Sequence, residues 1–234
     1  MKVDDLDRFF DEVASRSLAE GNGRESIEHV EKTILSGLRP VRPMAAVWAL
    51  SLRFVALFIA FGTASASMLG LHGLHVLSAS QRGLIFLTLL AVAWLASQAC
   101  AREMRPMGLR LGVFSLIVAA LAFPALFALV FHGYGASNFV LEGVPCLVAG
   151  MCVSIPTAFV IAYLLRRGFV VGWGMAGLAA GTLSGLTGLA MLELHCSNLK
   201  AIHVIVWHIA VVIVSGILGF AIGWAVDRLR RISI

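Results

Sequence analysis

The sequence predicts an all-α protein: a six-span transmembrane helical bundle carrying a short helical N-terminal extension. Three observations predict it. The chain is 59% hydrophobic and only 13% charged, whereas a soluble domain is roughly a quarter charged. Its apolar residues gather in six runs, at 45–69, 84–101, 111–131, 143–165, 172–193 and 204–226, each approaching the ~20 residues that a helix needs to cross a hydrocarbon core. The strict alternation over ~10-residue segments that marks a membrane β-barrel is not found in these runs.

Residues 1–43 form a polar segment distinct from the bundle at 44–231. They hold nine acids and seven bases and no apolar stretch of signal-peptide type, so the first span is expected to act as its own uncleaved signal. Leu6, Phe9, Phe10 and Val13 follow helical spacing, with Asp4 or Asp5 as the cap. Gly21-Asn22-Gly23 breaks that helix. Ile27, Val30, Ile34 and Leu38 mark a second helix, with Glu28 and Lys32 four apart on its wet face, and Pro40 and Pro43 end it. Two short helices cannot bury a core of their own. The apolar face formed by Leu6, Phe9, Phe10, Val13, Ile27, Val30 and Ile34 therefore calls for a partner. Acidic residues on the polar face disfavour anionic lipid, which leaves a protein with a basic surface.

The spans follow in order. The first holds Arg53, which can snorkel to the near surface, and the second is short. Pro124, Pro145 and Pro156 are expected to kink or start helices. Gly177, Gly181 and Gly185 in the fifth span, and Gly219 and Gly223 in the sixth, have the small-xxx-small spacing of helices packed closely within one bundle. The formal net charge of +5 does not indicate a nucleic-acid-binding surface, because outside the tail the basic residues sit mostly at the ends of apolar runs. Arg102, Arg105, Arg110, Arg166, Arg167, Arg228, Arg230 and Arg231 collect with the tail on one side, against Arg82 and Lys200 on the other. The positive-inside rule then predicts both termini in the cytoplasm. His72, His75, His132, His195, His203 and His208 fall at or near the outer face, and His29 inside.

The candidate site lies on that outer face. Between the fifth and sixth spans, Glu193, His195, Cys196, His203 and His208 crowd a short polar gap, while Glu142 and Cys146 open the fourth span. Such side chains are costly at a bilayer edge without partners. Cys146 and Cys196 are the two thiols at span edges on one shared side; Cys100 lies beside Arg102, and Cys152 sits ~9 Å deeper than Cys146. Two chemistries are open to the pair: a disulfide, if the Cα atoms come within about 7 Å, or capture of zinc or copper with imidazole help. The bland alternative is buried thiols packing as small hydrophobes beside interfacial histidines. His203 and His208, five apart, do not share an α-helical face well. No P-loop, Gly-x-Ser-x-Gly or His-Glu-x-x-His motif is present, so no catalytic residue is assigned. Transport is disfavoured because no ionisable group lies mid-span. A membrane redox enzyme, or a haem- or copper-binding protein, is the competing reading.

Cys146 at the start of the fourth span, Arg166-Arg167 closing it, the glycine-rich fifth span, Leu194-His195-Cys196, the later Trp207-His208, and Leu38-Arg39-Pro40-Val41-Arg42-Pro43 before the first span together resemble the NrsF family. These are bacterial integral-membrane anti-sigma factors. The resemblance implies an inner-membrane, non-enzymatic regulator whose cytoplasmic N-terminal segment sequesters an extracytoplasmic-function sigma factor without touching nucleic acid itself. It further implies that Cys146 and Cys196 sense stress such as thiol-reactive metals or oxidants.

Overall fold

Long apolar runs free of strand alternation fold as helices. In the computed structural model, which describes residues 45–105 and 138–232 and the isolated positions 12, 28, 31, 32, 36, 128, 131 and 135, every regular element is helical. The chain divides into two compact units, Met1–Pro43 and Met44–Ile234. Within the first, Glu12, Glu28, Glu31, Lys32 and Ser36 are helical and exposed. Leu6, Phe9, Phe10, Val13, Ile27, Val30 and Ile34 lie outside the described residues, as does most of the predicted third span.

The second unit contains α1 (Val47–Leu69), the short α2 (His72–Val76), α3 (Ala79–Glu103), α4 (Phe139–Leu165), α5 (Trp173–His195) and α6 (Ala201–Ile232). All but α2 are long and apolar enough to cross a membrane, giving five such helices among the described residues. Three boundaries differ from the sequence expectation. α3 starts five residues before the predicted 84, because Ser78 and Gln81 form a reciprocal capping box ahead of the apolar run. α4 starts at Phe139, after Asn138 in the left-handed conformation at φ 55°. α6 continues past 226 through Asp227–Ile232, a charged final turn that hydropathy alone does not count.

The packing is organised around α5. In its most apolar stretch 78% of residues are buried, against 28–44% in the other four long helices. α5 touches α1, α2, α3, α4 and α6. A helix buried all round must be apolar or small on every side, and its glycines supply the small faces. Backbone approaches backbone here: a Cβ on Gly177 would collide with the Gly219 carbonyl oxygen, and one on Gly181 with that of Ser215. Several buried hydroxyls satisfy themselves within their own helices, as in Thr187 to the Leu183 carbonyl at 3.0 Å and Ser154 to the Gly150 carbonyl at 2.8 Å. On the perimeter the pattern is inverted: Phe159 is 73% exposed and Leu87 69%. An apolar outer surface of this extent needs lipid as its solvent.

The two ends of the bundle differ chemically. At one end Arg105 donates to the Ala45 carbonyl oxygen, Phe169 N–H to that of Met104, and Trp173 and Gly174 N–H to Asp227. Guanidinium groups lie over aromatic rings there, Arg228 on Trp224 at 4.2 Å and Arg230 on Trp173 at 4.9 Å, an arrangement suited to a membrane–water interface. At the opposite end meet Gly70, Gly73, Glu142, His195, Cys196 and Asn198.

Asp227, which carries no role in the sequence expectation, closes the arginine-rich end. Its two carboxylate oxygens accept from the first N–H groups of α5 at 3.1 and 3.2 Å, supplying the anion that a helix N-terminus favours. Asp227→Ala is expected to cost about 0.5–2 kcal/mol, as for other lost caps, measurable as a lowered thermal midpoint of the full chain in detergent micelles.

Candidate functional site

At the end opposite the arginines, four side chains converge from three segments. Cys146 stands in the second turn of α4 and is half-buried. Cys196 directly follows α5, where the backbone leaves the helix in an extended conformation (φ −74°, ψ 124°). Its sulfur lies 3.7 Å from that of Cys146, and both thiols are free. Asn198 secures the connection: its side-chain Nδ2 donates to Glu142 at 2.8 Å, and its side-chain Oδ1 accepts from Lys200 N–H at 3.2 Å. Glu142 therefore ties the start of α4 to the loop.

His203 and His208 complete the group, and here the sequence expectation is overturned. The five-residue spacing does place both imidazoles together, with ring centroids 5.2 Å apart and edge to face. The cause is a π-helical turn at Val204–His208, in which Ile209 N–H reaches back to the Val204 carbonyl. Bonding from i to i+5 widens the turn, so positions five apart come onto one face where an α-helix would separate them. His203 Nε2 lies 3.6 Å from Cys196 Sγ. The ligand atoms of Cys146, Cys196, His203 and His208 all fall within 4.8 Å of one another.

Beneath this group lies a fully buried pair. His208 Nδ1 donates to Glu193 Oε1 at 2.7 Å, and neither side chain has any exposed surface. Glu193 is thus the partner that holds the imidazole. The second carboxylate oxygen and His208 Nε2 are buried without a hydrogen-bond partner.

His195 turns elsewhere. Its Nδ1 lies 3.0 Å from the Gly70 carbonyl oxygen and its ring packs edge-on to His72 at 5.7 Å, so it ties α5 to the α1–α2 connection and stands outside the group of four. Gly73 lets α2 settle on the end of α5, where a Cβ would stand 2.5 Å from the Cys196 carbonyl oxygen and 2.8 Å from that of Glu193. Trp207 covers the other flank, packing on the bare backbone of Gly143 and 5.4 Å from the Phe139 ring. Cys152 is exposed on the perimeter, while Cys100 is buried in the apolar core; neither joins the group. His132 lies outside the described residues.

Electrostatically the two sulfurs are unequal. Contact with Cys146, and then burial, push the Cys196 thiol above its ordinary range, while His203 and His208 pull it back. Asn198, Trp207 and the π-helical turn were not among the expected site features. Only the Trp207-His208 pair had any signal in the sequence, through the family resemblance.

A helical bundle with an apolar perimeter, an arginine-rich end and a buried thiol–imidazole cluster at the other end defines a multi-pass membrane protein. The chain belongs to the NrsF family, negative regulator of sigma F, which matches residues 35–228. That stretch includes Cys146, Cys196, His203, His208 and the glycines of the α5–α6 contact. Comparison with curated proteins and with solved structures gives no match.

Proposed function

We propose that the protein is a membrane-bound anti-sigma factor that holds an extracytoplasmic-function sigma factor through residues 1–43 and releases it when the Cys146–Cys196 site is oxidised or loaded with metal. Membership of a family of sigma-factor negative regulators supports the regulatory role and a sigma-factor partner. The observation that carries the finer reading is the 3.7 Å contact of two free thiols at the end of the bundle remote from the arginines. The positive-inside rule assigns the arginine-rich end, and with it both termini, to the cytoplasm of a bacterial inner membrane. The thiols then face an oxidising compartment.

Forming a disulfide removes two protons and two electrons to an external oxidant. It also draws the sulfurs from 3.7 Å to about 2.05 Å, which moves the Cys196 loop relative to α4. An amphipathic segment bearing Leu6, Phe9, Phe10, Val13, Ile27, Val30 and Ile34 suits helix-in-groove recognition, and its acids suit a basic surface that would otherwise bind nucleic acid. The function is sequestration, with no chemical turnover.

The test is co-purification of the full chain, and of a chain lacking residues 1–43, with the sigma factor encoded beside it. The full chain is expected to retain sigma and the shortened chain to lose it. Sigma retained by the shortened chain, or by neither, rejects the reading.

A further inference from the structure

We propose that Cys146 Sγ, Cys196 Sγ, His203 Nε2 and His208 Nε2 form a closed four-ligand site for zinc, with Glu193 as the residue that positions His208. The inference deepens the sensing role proposed above and rests on it only for its regulatory meaning.

Geometry is the first argument. Zinc takes thiolate sulfur at ~2.3 Å and imidazole nitrogen at ~2.0–2.1 Å in a tetrahedron. Those bond lengths require sulfur–sulfur edges of ~3.8 Å and sulfur–nitrogen edges of ~3.5 Å. The Cys146–Cys196 edge is 3.7 Å and the Cys196–His203 edge 3.6 Å. The remaining edges lie within 4.8 Å, a distance that small side-chain rotations close.

The second argument is independent. His208 has no exposed surface, its Nδ1 is engaged by Glu193, and its Nε2 has no hydrogen-bond partner. A buried nitrogen left without a partner costs about 1–3 kcal/mol. The cost has a purpose if the nitrogen is a ligand. A carboxylate accepting from the far nitrogen of a metal-bound imidazole is the recurring device that fixes tautomer and ring direction. The π-helical turn at Val204–His208 has the same outcome, since without it His203 and His208 would diverge. A disulfide alone would use two sulfurs and leave both of these features unexplained.

The donor set selects the ion. Two thiolates and two imidazoles, with no carboxylate or carbonyl oxygen, suit zinc and other soft or borderline d10 cations and reject magnesium and calcium. Four protein ligands make a closed site, the form associated with structure and regulation, not with hydrolysis. Binding exchanges the two thiol protons for the cation and transfers no electrons. It would clamp α4, the Cys196 loop and α6 together, and the same sulfurs are where a thiol-reactive metal or oxidant would attack.

The test uses the reduced full chain in detergent micelles, stripped of metal with a chelator. Zinc is titrated against a chromophoric competitor, and cobalt(II) serves as the optical probe. One zinc per chain is expected, together with visible bands of tetrahedral cobalt and a near-ultraviolet thiolate-to-cobalt band. The Cys146→Ser, Cys196→Ser double variant should lose the thiolate band. Glu193→Gln preserves shape and an acceptor, so it should keep the one-to-one ratio while weakening zinc by about 10–100-fold. The wild-type cobalt spectrum decides the matter even if a variant misfolds, because a missing thiolate band overturns the site. Unchanged zinc affinity in Glu193→Gln overturns the positioning role. Zinc failure with sigma retained rejects this inference alone, and zinc binding without sigma retention rejects only the anti-sigma reading.

Discussion

His208→Leu is expected to destabilise the protein by about 3–5 kcal/mol, the cost of leaving a buried carboxylate without its partner. Glu193 has no exposed surface, and its Oε2 already lacks a hydrogen-bond partner. Losing the imidazole removes the one hydrogen bond recorded for this buried carboxylate. The double variant Glu193→Leu, His208→Leu should recover most of that loss, since apolar replacement of both members of a buried pair is often neutral or better. The difference between single and double variants, read from equilibrium unfolding in mixed micelles, measures the coupling directly. A single variant as stable as the wild type would mean that the pair contributes nothing to the fold. The double variant, though stable, should bind no zinc, which separates what the pair costs the fold from what it gives the site.

The same pair shows how much the sequence can carry. Spans were legible because lipid imposes long apolar helices, and hydropathy reports exactly that constraint in α1, α4 and α5. Ends were less legible where polar residues continue the helix, as in Ala79–Arg82 under the Ser78 cap and in Asp227–Ile232. Depth along a span was enough to bring Cys146 and Cys196 together. It was not enough to give direction: Glu142, His195 and Glu193 share the depth of the thiols, yet they bond Asn198, the Gly70 carbonyl and His208 respectively. The spacing of His203 and His208 was judged on the 3.6-residue period, and the π-helical turn that defeats that rule has no composition cue. The four-residue glycine repeat on two spans points to close packing within one bundle over a dimer interface, and Gly177 and Gly181 do meet the α6 backbone at Gly219 and Ser215.

A signal applied at the thiol end has a short physical route to the other end. Cys196 follows α5 directly, and His203 and His208 open α6, so any shift in the cluster acts on the two helices that share the glycine contact. α5 and α6 also meet at the arginine-rich end, where Asp227 of α6 accepts from the first N–H groups of α5. A packed contact of this kind favours discrete arrangements over continuous bending. The stimulus must then stabilise one arrangement more than the other, which a bond or a metal linking α4 to the α5–α6 connection can do.

Gly177→Ala tests that route and should have the next largest effect after loss of His208. Its new methyl would collide with the Gly219 carbonyl oxygen, and the obstacle is backbone, which cannot rotate aside. Overpacking of this sort costs about 1–3 kcal/mol and occasionally more. Gly83→Ala is the matched control, because a Cβ there meets nothing within 4 Å and gains up to about 1 kcal/mol of helix propensity. The expected result is a lower unfolding midpoint for Gly177→Ala and an unchanged or higher one for Gly83→Ala. Gly177 lies about 27 Å along α5 from His195, too far to touch the cluster. Zinc affinity in the folded fraction should therefore stay near wild type, while a sigma-dependent transcription reporter loses its response to metal and oxidant. If the reporter responds normally in Gly177→Ala, the α5–α6 contact does not transmit the signal, and the relay must run through α1, α3 or α4 instead.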